Sequence, residues 1–291
     1  IGMGGRRVRT AARLGAMVTP GDTTVSAVIS GARPQKPPLP YIEVPSSYRN
    51  HFMLKDKCVI TDATTRNARV IPTTPGLVKT VLIDPVLTMS MSHKYAATAI
   101  MDTLLASVEG YLCRQSNTMS DALLLQAVRI LSESAVGMAK NPNDLRIRSR
   151  ASEGGLLCAF GLSLSSQGLG GALSYTINSR FNVPKSWVAT ALLPHILDFY
   201  VSTTPDKLGD IARAMGEEVG GMASSSAALR AAAASRKLMA RLSLPSRLRD
   251  FDLSLDDLVE VSEVAAGFDM VRQVPVPMSA QDIYEVVKQA Y

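Results

Sequence analysis

The sequence predicts a small α/β portion followed by an all-helical portion, with the boundary near residue 88. Two observations carry this. Up to residue 83, short apolar runs alternate with Gly and Pro turns, the pattern of strands and broken α/β structure. After Asp84-Pro85 the apolar residues recur at helical spacing almost to the end of the chain. A length of 291 residues, with 46% apolar and 19% charged residues, suits a globular chain of two domains, here 1–88 and 89–291.

Taken in order, Ile1 to Gly5 reads as the end of a strand entering a turn, and Val8 to Met17 as a short helix. Pro34, Pro37, Pro38 and Pro40 mark a loop that leads into a strand at Tyr41 to Val44. Cys58 to Thr61 and Val78 to Ile83 are further strand candidates. Helices follow at 95–114, from an N-cap at Ser120 to Lys140, and from Leu145 onward. The last are at 187–200, 205–215, 223–242, 254–266 and 280–290. Residues 154–179 carry no charge, but their Gly, Ser, Gln167 and Asn178 suit two packed buried helices better than a membrane span.

The net charge of +6 favours acidic partners or contact with nucleic acid through a basic surface. It is not gathered into one run. Arg146, Arg148 and Arg150 alternate, so they read as surface charges and intra-chain pairs. Arg236, Lys237 and Arg241 cluster on one helix side that faces solvent. Cys58, Cys113 and Cys158 show no paired spacing and read as buried small hydrophobes in a reducing compartment. No signal-peptide pattern opens the chain, and the first residue is not Met, which leaves an upstream segment open.

Several segments, in order, resemble the iron-containing (group III) alcohol dehydrogenase family, whose fold is shared with dehydroquinate synthase. They are Ile83-Asp84-Pro85-Val86-Leu87-Thr88, Met101-Asp102, Glu109-Gly110-Tyr111, Ser116-Asn117 with Ser120-Asp121, Ala189 to His195, and the ending from Val274-Pro275 to Ala290-Tyr291. The family carries further strands before its glycine-rich turn, whereas this sequence begins almost at that turn.

The resemblance implies a cofactor site and a metal site, and both are altered. The family's pyrophosphate turn aligns with Gly4-Gly5-Arg6-Arg7, keeping two glycines but bringing in two arginines. Its second cofactor motif aligns with Pro45-Ser46-Ser47-Tyr48-Arg49-Asn50-His51-Phe52-Met53. Ser46 and Ser47 keep the hydroxyls; Tyr48, Arg49 and His51 fill space the cofactor otherwise takes. Gly4, Gly5, Ser46 and Ser47 are therefore vestigial cofactor positions. Of the four metal ligands implied, only Asp102 is kept, while Ala106, Gly171 and Lys185 stand at the histidine positions. The chain's histidines are His51, His93 and His195, and His195 reads as a core or helix-end residue. Lys185 is expected to set its ammonium against Asp102 in place of the metal.

This predicts a catalytically inactive member that binds no metal or cofactor and serves a structural or interaction role. Protein partners in a larger assembly, a homo-oligomer, no membrane span and a location in the mitochondrial matrix go with that reading. Two alternatives are a metal-independent oxidoreductase that binds NAD(P) or a phosphate ligand through Arg6, Arg7 and Arg49, and a sensor that retains a nucleotide without turning it over.

Overall fold

Gly2 to Pro45 fold as a βαβ unit because two short extended runs flank an amphipathic helix. In the computed structural model, which describes residues 1–291, β1 (Gly2–Gly4) pairs in parallel with β2 (Tyr41–Pro45), and β2 with β5 (Val78–Val81). The three make one sheet in the order β1-β2-β5. Helices α1 (Arg6–Val18) and α2 (Val25–Ile29) lie in the β1–β2 connection. Between β2 and β5, β3 (Lys57–Thr61) and β4 (Ala68–Pro72) form an antiparallel hairpin with Val59 opposite Val70.

Helix α1 buries two arginines, Arg9 and Arg13, beside Leu14, Ala16 and Met17. Their partner is Glu43, in the middle of β2 and 1% exposed. Arg9 Nη1 donates to Glu43 Oε1 at 2.7 Å and Arg13 Nε to Oε2 at 2.8 Å. The rest of the Arg13 fork donates to the carbonyls of Phe52, Met53, Lys55 and Lys57, so one side chain shapes the chain from 52 to 57. Arg9 Nη2 likewise donates to the Arg49 carbonyl.

A 3-10 turn (Pro85–Ser90) leads to α3 (His93–Leu112), in which every residue from Ala96 to Leu112 is buried. A helix covered on all sides is the axis of its domain. Around it pack α4 (Thr118–Lys140), α5 (Leu145–Ser163), α6 (Leu169–Phe181) and α7 (Lys185–Phe199). Outside these lie α8 (Pro205–Ala214), α9 (Ser224–Arg241), α10 (Leu255–Ala266) and α11 (Ala280–Gln289). The uncharged stretch 154–179 becomes the end of α5 and most of α6, with Gly154 against Leu131 and Gly161 against Leu124. By length and composition α4 could cross a bilayer, but half of its apolar window is buried inside the fold.

Three expectations need correction. Asn117, not Ser120, caps α4: its Oδ1 accepts from the N–H groups of Met119 and Ser120, while Ser120 Oγ accepts from Asn117 N. Arg148 is not a surface charge but fully buried, donating to the carbonyls of Pro142, Thr88 and Met91 and to the Tyr48 hydroxyl. It ties the 3-10 turn to α5; Arg146 and Arg150 do make surface pairs, with Asp144 and with Glu133 and Glu153. Strand β4 and helix α2 were not predicted. Arg69 and Pro72 interrupt the apolar pattern of β4, and only pairing with β3 makes it a strand.

The buried clamp at Glu43 sets a stability prediction. E43Q leaves two enclosed guanidinium groups without a counter-charge, a loss of about 3–5 kcal/mol. Urea unfolding measures it, and a loss below about 1 kcal/mol would show the clamp to be incidental.

Candidate functional site

Within α3 from Ala96 to Leu112 only two residues are charged, Asp102 and Glu109. Seven apart, they lie two turns from each other on one face. That face meets the amino ends of α6 and α7.

Asp102 is fully buried. Lys185 Nζ donates to its Oδ1, and Arg49 Nη1 donates to its Oδ2 at 3.3 Å. Lys185 opens α7, where the helix dipole disfavours a cation, so the carboxylate opposite is what holds the ammonium there. Burial alone would raise the Asp102 carboxyl, but Lys185, His51 and Arg49 outweigh it and hold it at about 2. Burial lowers the Lys185 ammonium, with Asp102 pulling the other way. The Lys185 ammonium also lies 4.7 Å from the centre of the Tyr175 ring.

The segment 46–53 brings Arg49 and His51 to this pair. It is pinned from three sides: by Arg9 and Arg13, by Arg148 on Tyr48, and by Gly155 of α5, where a Cβ would come within 2.4 Å of the Tyr48 carbonyl oxygen. Arg49 Nη2 donates to the Tyr95 hydroxyl at 3.0 Å. His51 is buried, and burial pushes its imidazole down to about 3, so it is neutral at ordinary pH. The Tyr175 hydroxyl donates to Gln167 Oε1, leaving Gln167 Nε2 to donate to His51 Nδ1 at 3.1 Å. The imidazole proton therefore sits on Nε2, which has no partner.

Glu109 accepts the backbone N–H groups of Gly168, Gly170 and Gly171 at the start of α6. Burial pushes its carboxyl up to about 6 against these three bonds. It gives the α6 terminus the negative charge its dipole favours. Sequence reading recorded Glu109 only as part of a motif; its rarity as a charge on an apolar helix was the signal available.

A cleft of about 990 Å³ lies against His51, Phe52 and Gln167, and two further spaces reach Lys185. An inner cavity between α1, segment 49–53 and the Asp102–Lys185 pair has a volume of about 30 Å³. That is room for roughly one or two water molecules. An outer cleft of about 330 Å³ opens at the amino end of α1, lined by Gly5, Arg6, Arg7 and Val8 and, across from them, Tyr95, Asn178 and Pro184. Arg6, Arg49 and Lys185 line both. Gly4 and Gly5 form the expected turn at the head of α1, but neither Ser46 nor Ser47 lines either space. Ser46 donates its backbone N–H to the Gly4 carbonyl, and Ser47 is buried with an unpartnered hydroxyl. Arg6 turns inward to Asn178 Oδ1 and the Val59 carbonyl, whereas Arg7 stays exposed.

The residues present do not fit a divalent ion. Both Asp102 oxygens are occupied by cations, and no three His, Cys, Asp or Glu side chains gather anywhere in the chain. A side chain at Gly171 would start 3.1 Å from Gln167 Cβ and 3.2 Å from Glu109 Oε2. The amino end of α1 does fit a phosphate group. Gly5 offers no capping side chain, its missing Cβ faces open space, and the first turn has no acidic residue.

The sequence profile of the Fe-containing alcohol dehydrogenase family, C-terminal, matches residues 96–291. The chain belongs to this family. It is 26% identical over 234 residues to 1,3-propanediol dehydrogenase of Klebsiella pneumoniae, covering 80% of this chain and 60% of that protein. Lactaldehyde reductase of Escherichia coli (strain K12) is 25% identical over 256 residues, 88% of this chain and 66% of the relative. This chain thus spans about two thirds or less of their length. The fold follows that of a 1,3-propanediol oxidoreductase crystal structure with a TM-score of 0.91 at 23% identity, over 99% of this chain and 76% of the other. An alcohol dehydrogenase from Oenococcus oeni gives 0.92 at 21% identity, with the same coverage.

These relatives overturn the expectation of an inactive structural subunit, since they carry the names of working dehydrogenases and reductases. The absent histidines, on which that expectation rested, remove metal ligands but not the positive charge, because Lys185 supplies one at the same place. On α9, Arg236 pairs with Asp198 and Lys237 with Glu217 at the surface.

The buried acids and His51 give a pH prediction. His51, lowered from 6.5 to about 3, contributes stability present above pH 6.5 and lost as pH falls toward 3. Glu109, raised from 4.5 to about 6, contributes stability present below pH 4.5 and lost as pH rises through 6. The two slopes oppose each other between pH 4.5 and 6. Asp102, lowered from 3.8 to about 2, adds a further loss as pH falls through that range. Stability is therefore nearly flat between pH 4.5 and 6 and falls at lower pH. E109Q removes one slope, so that its unfolding free energy declines steadily from pH 6.5 downward. An unchanged plateau in E109Q would refute the assignment.

Proposed function

We propose that this chain is a metal-independent oxidoreductase of the alcohol dehydrogenase family, in which the Lys185 ammonium takes the role of the cation that faces the reacting oxygen. The observation that carries this reading is the placement of Lys185, whose side chain is 4% exposed, held on Asp102, and on the wall of both the cavity and the cleft. A buried ammonium offers a full charge to a carbonyl oxygen as negative charge develops on it. Its lowered pKa eases release of a proton to the alkoxide.

The phosphate-bearing end of a nicotinamide cofactor is assigned to the amino end of α1, where the free N–H groups, Arg7 and Arg6 favour it. When bound, that cofactor supplies the hydride. Arg49 is the wall between cavity and cleft, with a side chain 14% exposed and a long bond to Asp102. Swinging away, it joins the two spaces and admits a small carbonyl compound. The names of the relatives supply 1,3-propanediol and lactaldehyde as first probes.

NAD(P)H oxidation by lactaldehyde is measured in EDTA, with K185M as the variant. The reading expects turnover that EDTA leaves intact and K185M lowers by about 10²–10³-fold. Turnover that appears only on adding a divalent metal, or none from the folded wild-type protein, overturns it.

A further inference from the structure

The large cleft beside His51, Phe52 and Gln167 carries charge that the redox reading does not use. The β3–β4 hairpin lines one side of it, and the loop joining α5 to α6 and the 3-10 turn Asp269–Gln273 line another. At about 990 Å³ it has the size of a small-molecule site. Four cations line it, Lys55, Lys57, Arg69 and Arg272, against two carboxylates, Asp62 and Asp269. Each carboxylate pairs with an arginine, Asp62 with Arg69 and Asp269 with Arg272, both at 3.7 Å. The two lysines are left without an acid.

Those lysines stand close enough to repel. Lys57 opens β3 and Lys55 precedes it by two residues. Burial first, and then the Lys57 charge, pushes the Lys55 ammonium down to about 8. Of the three N–H groups on Lys55 Nζ, one donates to the Ser165 carbonyl at 2.8 Å, and the others have no protein acceptor. The Lys57 side chain is exposed and makes no hydrogen bond or ion pair. Two like charges converging on a concave wall without a counter-ion favour an anion there. Its class follows from the donors present. Phosphate is typically held by helix N–H groups or a free guanidinium fork. The N–H groups that open α6 are taken by Glu109, and both arginines of the cleft have an acid partner. A carboxylate needs fewer donors, which the two ammonium groups provide.

The cleft also adjoins the reaction site of the redox reading. His51 and Phe52 line both it and the inner cavity, and Gln167, on the cleft wall, holds His51. We propose that the large cleft binds the carboxylate of a small organic acid between Lys55 and Lys57, and that the carbonyl substrates of this chain are oxo acids. The substrate assignment rests on the redox reading; the binding site does not.

Succinate carries the acid group but no reducible carbonyl, so calorimetry on the full chain reads its binding without turnover. Expected are saturable binding, none of the neutral diol of the same chain length, and affinity about tenfold weaker in K57Q. Because the Lys57 side chain has no partner, this variant keeps the fold that K55M, which loses the Ser165 bond, puts at risk. No saturable binding of succinate, binding that K57Q leaves unchanged, or inorganic phosphate bound more tightly than succinate overturns the site. Turnover then tests the substrate. The expected kcat/KM for succinate semialdehyde is about tenfold above that for lactaldehyde, with the preference lost in K57Q. Equal kcat/KM for the two compounds overturns the oxo-acid assignment and leaves the redox reading standing. No turnover of either overturns the redox reading and the oxo-acid assignment with it, while succinate binding still decides the site.

Discussion

Asp102 is a carboxylate without solvent, and two cations from different parts of the chain share its two oxygens. One comes from the first turn of α7, the other from the segment after β2, so the ion cluster joins the helical portion to the α/β portion. Removing either cation would leave a buried charge half compensated, which is why breaking such a group costs more than its formation stabilises. The neighbouring parts answer to this constraint. Lys185 can open a helix only because Asp102 faces it. Arg49 reaches Asp102 only because segment 46–53 is clamped by Arg9, Arg13 and Arg148.

Much of the helical portion was legible because long helices write their spacing over many residues, and α7 to α11 begin and end within two residues of the expected places. Strand β4 left no such trace, since its extended form depends on a partner strand. The charged residues divide in the same way. Sequence reading places Asp102 and Lys185 together by the resemblance alone, and the structure sets them in contact. It assigned Arg148 to the surface because arginine is seldom enclosed, and it could not see that three acceptors from distant segments join the nearby Pro142 carbonyl on that one fork. For Arg49 and His51 it registered bulk, but not direction. Direction came from the backbone carbonyls of 49–53, which no side-chain pattern reports.

Members of a fold share architecture more readily than chemistry. Here the likeness in fold extends over nearly the whole chain, while the cluster beneath α6 and α7 differs in charge from what the family pattern implies. Positive side chains occupy the place of a metal and its ligands. The chemistry open to such a site is that of a fixed ammonium, neutral imidazole and guanidinium groups, all proton donors and anion partners. Lewis-acid steps through a divalent ion have no ligand set to rest on.

Gly171 shows how far this arrangement has been built in. The position lacks a side chain, and its neighbours have closed over the gap: Gln167 lies against it while holding His51, and Glu109 reaches across it to the N–H groups of α6. An engineer wishing to install a metal centre could not proceed by adding three imidazoles one at a time. The first, at 171, would start 3.1 Å from Gln167 Cβ and 3.2 Å from Glu109 Oε2, so both neighbours would have to give before any ion could bind. Changes at 167, 51 and 49 would have to come beforehand. The order of changes between the two kinds of centre thus matters, because the neighbours of Gly171 have to make room before a side chain there can reach an ion.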